Sequence, residues 1–281
     1  MDEDLRNGLW NALALFYWND VSLSSYLPLE QSDPETHHLL RVMWLDYFKD
    51  PIDTVPTDWG GAYGIMRKGF FSWPWNEVYD FMEFVASNYP DNNTNSRFRV
   101  YCNRILEREV SAYRFVGNEI AQMTGQEEIT EIEEAMQATD VMRPVAVHIS
   151  AALELFANRK SPDYRNSIKE SVSAVEAACR ILTENNKAEL GDALKQIKGK
   201  VHLHPALEKA FLSMYGYTSD AEGIRHALMD EPTLSSEDAK FMLVSCSAFV
   251  NYLRSKAART PVSHPPSTIS TGGVAERRNV W

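Results

Sequence analysis

SPDYRNSIKESVSAVEAACRIL, Ser161 to Leu182, is the stretch whose reading decides the fold. Tyr164, Ile168, Val172, Val175, Cys179 and Leu182 recur at helical spacing and share one face, while Arg165, Lys169, Glu176 and Arg180 share the other. Ser161 followed by Pro162 reads as an N-cap and first helical residue, since proline has no early N–H to leave unpaired. A long amphipathic helix of this kind must lay its apolar stripe against neighbours.

Those neighbours are legible on both sides. Val141 to Asn158 reads as a helix before it, and Ala188 to Lys198 and Pro205 to Tyr215 as helices after it, with Gly216 placed to stop the last. Ser219 to Glu222 is a capping-box pattern that opens a further helix carrying Arg225 and His226. Glu237 to Leu253 is apolar almost all round, as expected of a helix central to a bundle. Short connections favour an up-and-down arrangement. From Ala257 to Trp281 the composition turns to Pro, Ser, Thr, Gly and charge, which predicts a disordered tail.

The first half is also mainly helical. Residues 3 to 19 carry Leu5, Leu9, Ala12, Leu13 and Phe16 at helical spacing, and Thr36 to Lys49 repeats the pattern up to Pro51. PIDTVPTDWGG (51 to 61) reads as a loop, and Trp75 to Tyr89 and Ser96 to Ser111 as two helices separated by the polar turn PDNNTNS. Tyr113 to Met123 is the one strand region, a small hairpin about Gly117-Asn118. Thr124 with Glu127 predicts a capping box for a helix over Gln126 to Gln137, and the boundary between halves falls near 124 to 140. The expected fold is mainly α, with helical domains over 1–124 and 125–256 and one β-hairpin near 113–123.

Composition narrows the function classes. With 281 residues and 44% hydrophobic content the chain can build two cores. A formal net charge of −11 argues against broad attraction to nucleic acid, so any such contact must be local. Six of seven Trp lie in the first 75 residues, which marks either a core of large side chains or a base-stacking or ligand pocket. Cys102, Cys179 and Cys246 stand far apart on apolar faces, a reduced pattern without a disulfide framework. No apolar run reaches about 20 residues, and the chain opens with Asp2, Glu3 and Asp4, so a cytoplasmic location without membrane insertion is expected. No Walker loop or dinucleotide glycine pattern is present, and no cofactor is expected. His202 and His204 lack a third ligand at a recognisable spacing and read as the lead-in to a helix capped by His204, so no metal is expected; His37, His38 and His148 read as ordinary helix residues.

Several segments in order resemble one family. RNGLWNALALFYWNDV (6 to 21), WLDYFKDPIDTVP (44 to 56), WNEVYDFMEFV (75 to 85) and LEREVSAYRFVGNEI (106 to 120) are similar to the N-terminal domain of the AbiJ-like abortive-infection proteins. The Ser161 helix, LGDALKQIKGKVHLHPALEKAF (190 to 211), YGYTSDAEGIRHALMDE (215 to 231) and EDAKFMLVSCSAFVNYL (237 to 253) resemble their C-terminal HEPN domain. The resemblance implies an antiphage protein whose N-terminal sensing or regulatory domain controls a metal-independent ribonuclease.

HEPN ribonucleases, as the resemblance implies, use an Arg, a polar residue directly after it, and a His one to two turns on. Arg225 and His226 match the first two positions, but Ala227 to Pro232 contains no His. A guanidinium can hold a phosphate and an imidazole can move a proton. Attack by a 2′-hydroxyl needs both a base and an acid, and Asp230, one turn on, is the candidate to orient His226 or replace the missing group. Arg165 and Lys169 are the candidate RNA-binding cations, and Glu176 a carboxylate that would pair with Arg225, for orientation or as a structural ion pair. Implied partners are RNA by local contact, a second copy of the chain as a homodimer, and a phage-derived trigger or neutralising protein. The alternative is a non-catalytic HEPN-like dimerisation and RNA- or protein-binding module.

Overall fold

The computed structural model describes residues 1–18, 21, 33–137, 139–185, 190–200, 203–219 and 234–258. Arg225, His226, Asp230, the cap expected to end at Glu222 and the tail from 259 onward lie outside the described residues.

Helix α1 (Glu3–Leu13) starts where Asp2 accepts the Leu5 N–H at 2.9 Å. It continues as a π-helical turn, Ala14–Trp18, whose extra residue in the turn lets adjacent Tyr17 and Trp18 both be buried. Helix α2 (Pro34–Val42), capped by Asp33, runs on in the same way through a π turn at Met43–Phe48 and closes on Lys49 at φ 57°. The expected helices 3–19 and 36–49 are thus each a helix ending in a π turn.

The expected loop over 51–61 is corrected at its end. A 3-10 turn occupies Ile52–Thr54, and helix α3 (Trp59–Ser72) begins with Asp58 accepting the Gly61 N–H at 2.8 Å. Gly60, Gly61, Gly64 and Gly69 weaken this helix, but burial of Trp59, Ala62, Met66 and Phe70 along one stripe outweighs propensity. Helix α4 (Trp75–Asn88) follows as expected. Most of the supposed polar turn PDNNTNS is the start of α5 (Asn92–Arg108), because Asp91 accepts the N–H groups of Asn93 and Thr94.

Strands β1 (Arg114–Val116) and β2 (Glu119–Ala121) form the hairpin, pairing Phe115 with Ile120; only Gly117 in the turn takes a positive φ, 55°. Helix α6 (Gln126–Met136) begins after Gly125 with no side-chain cap, so the Thr124 capping box does not form. A 3-10 turn leads into α7 (Arg143–Ala157). Helix α8 (Tyr164–Thr183) is capped by Asp163, which accepts the Asn166 N–H at 3.0 Å, rather than by Ser161, whose own N–H is taken by Asn158. Helices α9 (Leu190–Lys200), α10 (Pro205–Ser219) and α11 (Ser236–Ala258) complete the half, and α10 passes through Gly216 instead of stopping there. His204 accepts the Ala206 N–H at 3.2 Å at the head of α10, the capping role expected of it.

Two hydrophobic cores result. Trp10, Trp18, Trp44, Trp59, Phe70, Phe81 and Phe98 sit in the first, where Trp10 packs its ring 4.8 to 5.7 Å from Trp18, Tyr63, Phe70 and Phe71. The aromatic excess therefore builds a core, not an open stacking platform. The second core is formed by α6, α7, α8, α9 and α11, with α8 packed against α7, α9 and α11. Cys102, Cys179 and Cys246 are buried and unbridged, and burial pushes each thiol up, Cys179 and Cys246 to about 12. Among the described residues no helix is long and apolar enough to cross a membrane.

The hairpin belongs to both cores. Its alternation sends Phe115 and Ile120 into the first and Val116 and Ala121 into the second. A two-stranded hairpin alone is marginal in water, so this one is held by what packs on its two faces and what meets its two edges.

Candidate functional site

On α8, Arg165, Lys169, Glu176 and Arg180 share the polar face as the sequence indicates. Lys169 is exposed, Arg165 is partly buried, and the Glu176 carboxylate, with 13% of its side chain exposed, lies 3.5 Å from the Arg180 guanidinium. Further along, His148 of α7 meets Glu170 of α8 at 2.7 Å. Both faces are therefore tied locally into the bundle. Arg225, His226 and Asp230, which the sequence assigns to the same chemistry, are outside the described residues, so their approach to α8 is not described. Among the described residues no cluster of three or more His, Cys, Asp or Glu side chains could hold a metal ion.

A polar constellation that the sequence reading missed lies along the outer edge of β2. Arg159, just beyond α7, is 6% exposed in its side chain and reaches Asp80 and Glu83 of α4, with Nη2 to Asp80 Oδ1 at 2.5 Å. The same guanidinium donates to the Ile120 carbonyl at 2.7 Å, while Glu83 accepts the Ile120 N–H. Lys160 adds a contact to Asp80 at 3.1 Å, and Tyr79 lies under the guanidinium at 5.8 Å. One side-chain cluster thus joins α4, β2 and the end of α7, and satisfies the backbone groups of Ile120 that no strand pairs.

The electrostatics follow from this packing. Burial pulls against the charge on Arg159, but the carboxylates of Glu83 and Asp80 more than offset it and keep the guanidinium protonated. Glu83 is pulled the other way: burial raises it, with Arg159 and the Ile120 N–H opposing. Glu119, beside the cluster, has no such cation of its own. Burial, and then Glu83 and Glu154, push its carboxyl up to about 7. No local pattern announces this cluster, because Arg159 lies 79 and 76 residues from its two carboxylates.

The β1 edge is met differently. Asn103 of α5 accepts the Phe115 N–H at 2.7 Å and donates to the Phe115 carbonyl at 2.9 Å, a neutral amide doing what the Arg159–Glu83 pair does across the hairpin. Outside that amide lies an open groove of about 550 Å³ between α5 and α6, with the hairpin as its floor. Helices α5 and α6 both pack on β1 yet scarcely touch each other. Arg99 and Arg104 of α5 and Arg114 of β1 line this groove, and none is within ion-pair distance of a carboxylate among the described residues. Glu133 of α6 also lines it but accepts the Gly117 N–H at 3.1 Å. Met136 packs so close to Gly117 that a Cβ there would lie 2.9 Å from its terminal methyl.

Helix α6 is bound to the second core by more than its apolar face. Asn251 donates to the Glu131 carbonyl at 2.9 Å, Arg254 donates to the carbonyls of Glu134 and Gln137, and Lys240 pairs with Glu128 at 2.8 Å.

Residues 1–138 match the family model AbiJ N-terminal domain 4. No curated protein and no solved structure matches the chain. The matched stretch ends just beyond α6 and so takes in the groove, the hairpin, and the acidic partners of Arg159. Residues 1–138 are thus similar to an AbiJ N-terminal domain, and the last helix of that stretch is packed into the core of the half that follows it.

Proposed function

We propose that the chain is a cytoplasmic antiphage abortive-infection protein whose AbiJ-like half regulates a HEPN-like helical half that cleaves RNA without metal. The observation that carries this reading is the match over residues 1–138, joined through a buried ion cluster to a separate helical core. In the proposed site Arg225 holds the scissile phosphate, His226 moves the proton of the 2′-hydroxyl or leaving oxygen, and Asp230 orients the imidazole. Arg165 and Lys169 of α8 supply local positive charge for RNA, and Glu176 orients Arg225. A homodimer that brings two such sets together doubles the acid, base and phosphate-binding groups. Regulated expression in bacteria, with growth and RNA integrity followed together, tests the reading. Wild type is expected to slow growth with damage to RNA, and Arg225→Ala to relieve both. Undiminished toxicity from a folded Arg225→Ala protein would overturn it.

A second reading is favoured by one observation, the absence of His from Ala227 to Pro232. In it the second half is a non-catalytic dimerisation and RNA- or protein-binding platform. Intact RNA during phage challenge, together with a dimer in light scattering, would select it.

A further inference from the structure

Most of the charge on this protein is negative, and its buried cation, Arg159, is saturated with carboxylates. The groove between α5 and α6 breaks that pattern. Arg99, Arg104 and Arg114 line it beside Glu107 and Glu133, and none of the three is within ion-pair distance of a carboxylate among the described residues, inside a chain of net charge −11. Arg104 is exposed and makes no hydrogen bond to another described residue. Arg114 uses one terminal nitrogen on the carbonyls of Ser111 and Tyr113, at 2.7 Å each, which fixes the side chain and leaves the rest of its fork open. Arg99 donates to the Ala86 carbonyl at 3.3 Å and to Ser96 at 3.4 Å, both long. Burial depresses its guanidinium, and Tyr17 and Glu133 only partly offset that loss of water.

The groove's size and remaining lining narrow the ligand. About 550 Å³ falls within the range of small-molecule sites. Planar guanidinium forks suit the bidentate geometry of phosphate oxygens. Val100, 56% exposed on α5, and Met136 on α6 add apolar side chains to the lining, and Asn118 and Gln137 add amides. Cationic forks, apolar side chains and amides in one groove together match a nucleoside phosphate.

We infer that the groove between α5 and α6 is a binding site for a small nucleoside phosphate, held by Arg99, Arg104 and Arg114. Its occupant touches α5 and the hairpin on one side and α6 on the other. Because α6 is fastened to α11 through Asn251 and Arg254, the ligand clamps the AbiJ-like half onto the bundle. The site stands on the groove alone and does not depend on whether the second half cleaves RNA.

Calorimetric titration of the full chain with ATP, AMP and inorganic phosphate tests this, with adenosine as the uncharged control. The expected result is saturable binding of AMP or ATP, weaker binding of phosphate and none of adenosine. Arg104→Gln, which breaks no internal bond, should weaken AMP binding about tenfold while leaving the unliganded melting temperature unchanged. Arg97→Gln, on the same helix but outside the groove, should leave binding as in wild type. No binding of any nucleotide at millimolar concentration would overturn the inference. Binding equally weakened by both variants, or competed only by RNA and heparin, would also overturn it, since that marks a diffuse polyanion surface.

Discussion

The two edges of one short hairpin are held by opposite means. Along β2, an almost fully buried guanidinium is closed between two carboxylates and caps both backbone groups of Ile120 with Glu83. Along β1, a neutral amide, Asn103, caps Phe115, and the guanidiniums beyond it have no carboxylate partner among the described residues. Removing one partner from a buried ion cluster strands the others, whereas an exposed cation such as Arg104 remains solvated until a ligand arrives. The β2 edge is therefore a joint and the β1 edge a receptor, and substitutions on the two sides should differ sharply in what they disturb.

The largest effect is expected from Arg159→Met, which leaves Glu83 buried without a cation and Asp80 with only the exposed Lys160, and should cost about 3–5 kcal/mol in urea unfolding. Adding Asp80→Asn and Glu83→Gln to it should restore part of the loss, because the stranded charges are gone. A smaller loss, about 2 kcal/mol, is expected from Asn103→Ala, which orphans the N–H and carbonyl of Phe115 in one step. If the β1 edge were already hydrated, the loss would fall below about 0.5 kcal/mol.

Glu119 sharpens the comparison through pH. Burial pushes its folded carboxyl up to about 7, from an ordinary value of 4.5, so the native state holds the proton more tightly than the unfolded chain. Its contribution is fully present below about pH 4.5 and is lost as pH rises to 7 and beyond, by an order of 2 kcal/mol. Melting curves across this range should show Glu119→Gln gaining on wild type as pH rises; parallel curves would place the carboxylate in water. The smallest effect belongs to Arg104→Gln, expected to change stability by less than about 0.5 kcal/mol, because its exposed guanidinium makes no hydrogen bond or ion pair to another described residue. A large loss there would make the groove structural.

Much of this architecture was readable from the chain. The hairpin shows itself through Gly117, and the stripe of α8 through residues three and four apart, because both signals are local. The π turns at Ala14–Trp18 and Met43–Phe48 are not readable, since a single widened turn leaves the residue pattern nearly unchanged. Helix α3 was hidden by its glycines, and only the pocket that receives Trp59, Met66 and Phe70 makes it form. Arg159 and its carboxylates could not be paired from sequence, as nothing local links a loop after α7 to the acidic face of α4. The groove was equally silent, because Arg99, Arg104 and Arg114 read as ordinary surface charge until α6 is placed opposite them.

The central claim is that the β2 edge makes the two halves one cooperative unit. Six of the seven Trp residues lie between positions 10 and 75, so Trp fluorescence reports mainly the first core, while far-UV circular dichroism reports helices of both. Urea unfolding followed by both signals should give coincident transitions for wild type and separated ones for Arg159→Met, with the two cores melting independently. Separate transitions in wild type, or a single coincident transition in Arg159→Met with its midpoint unmoved, would contradict the account.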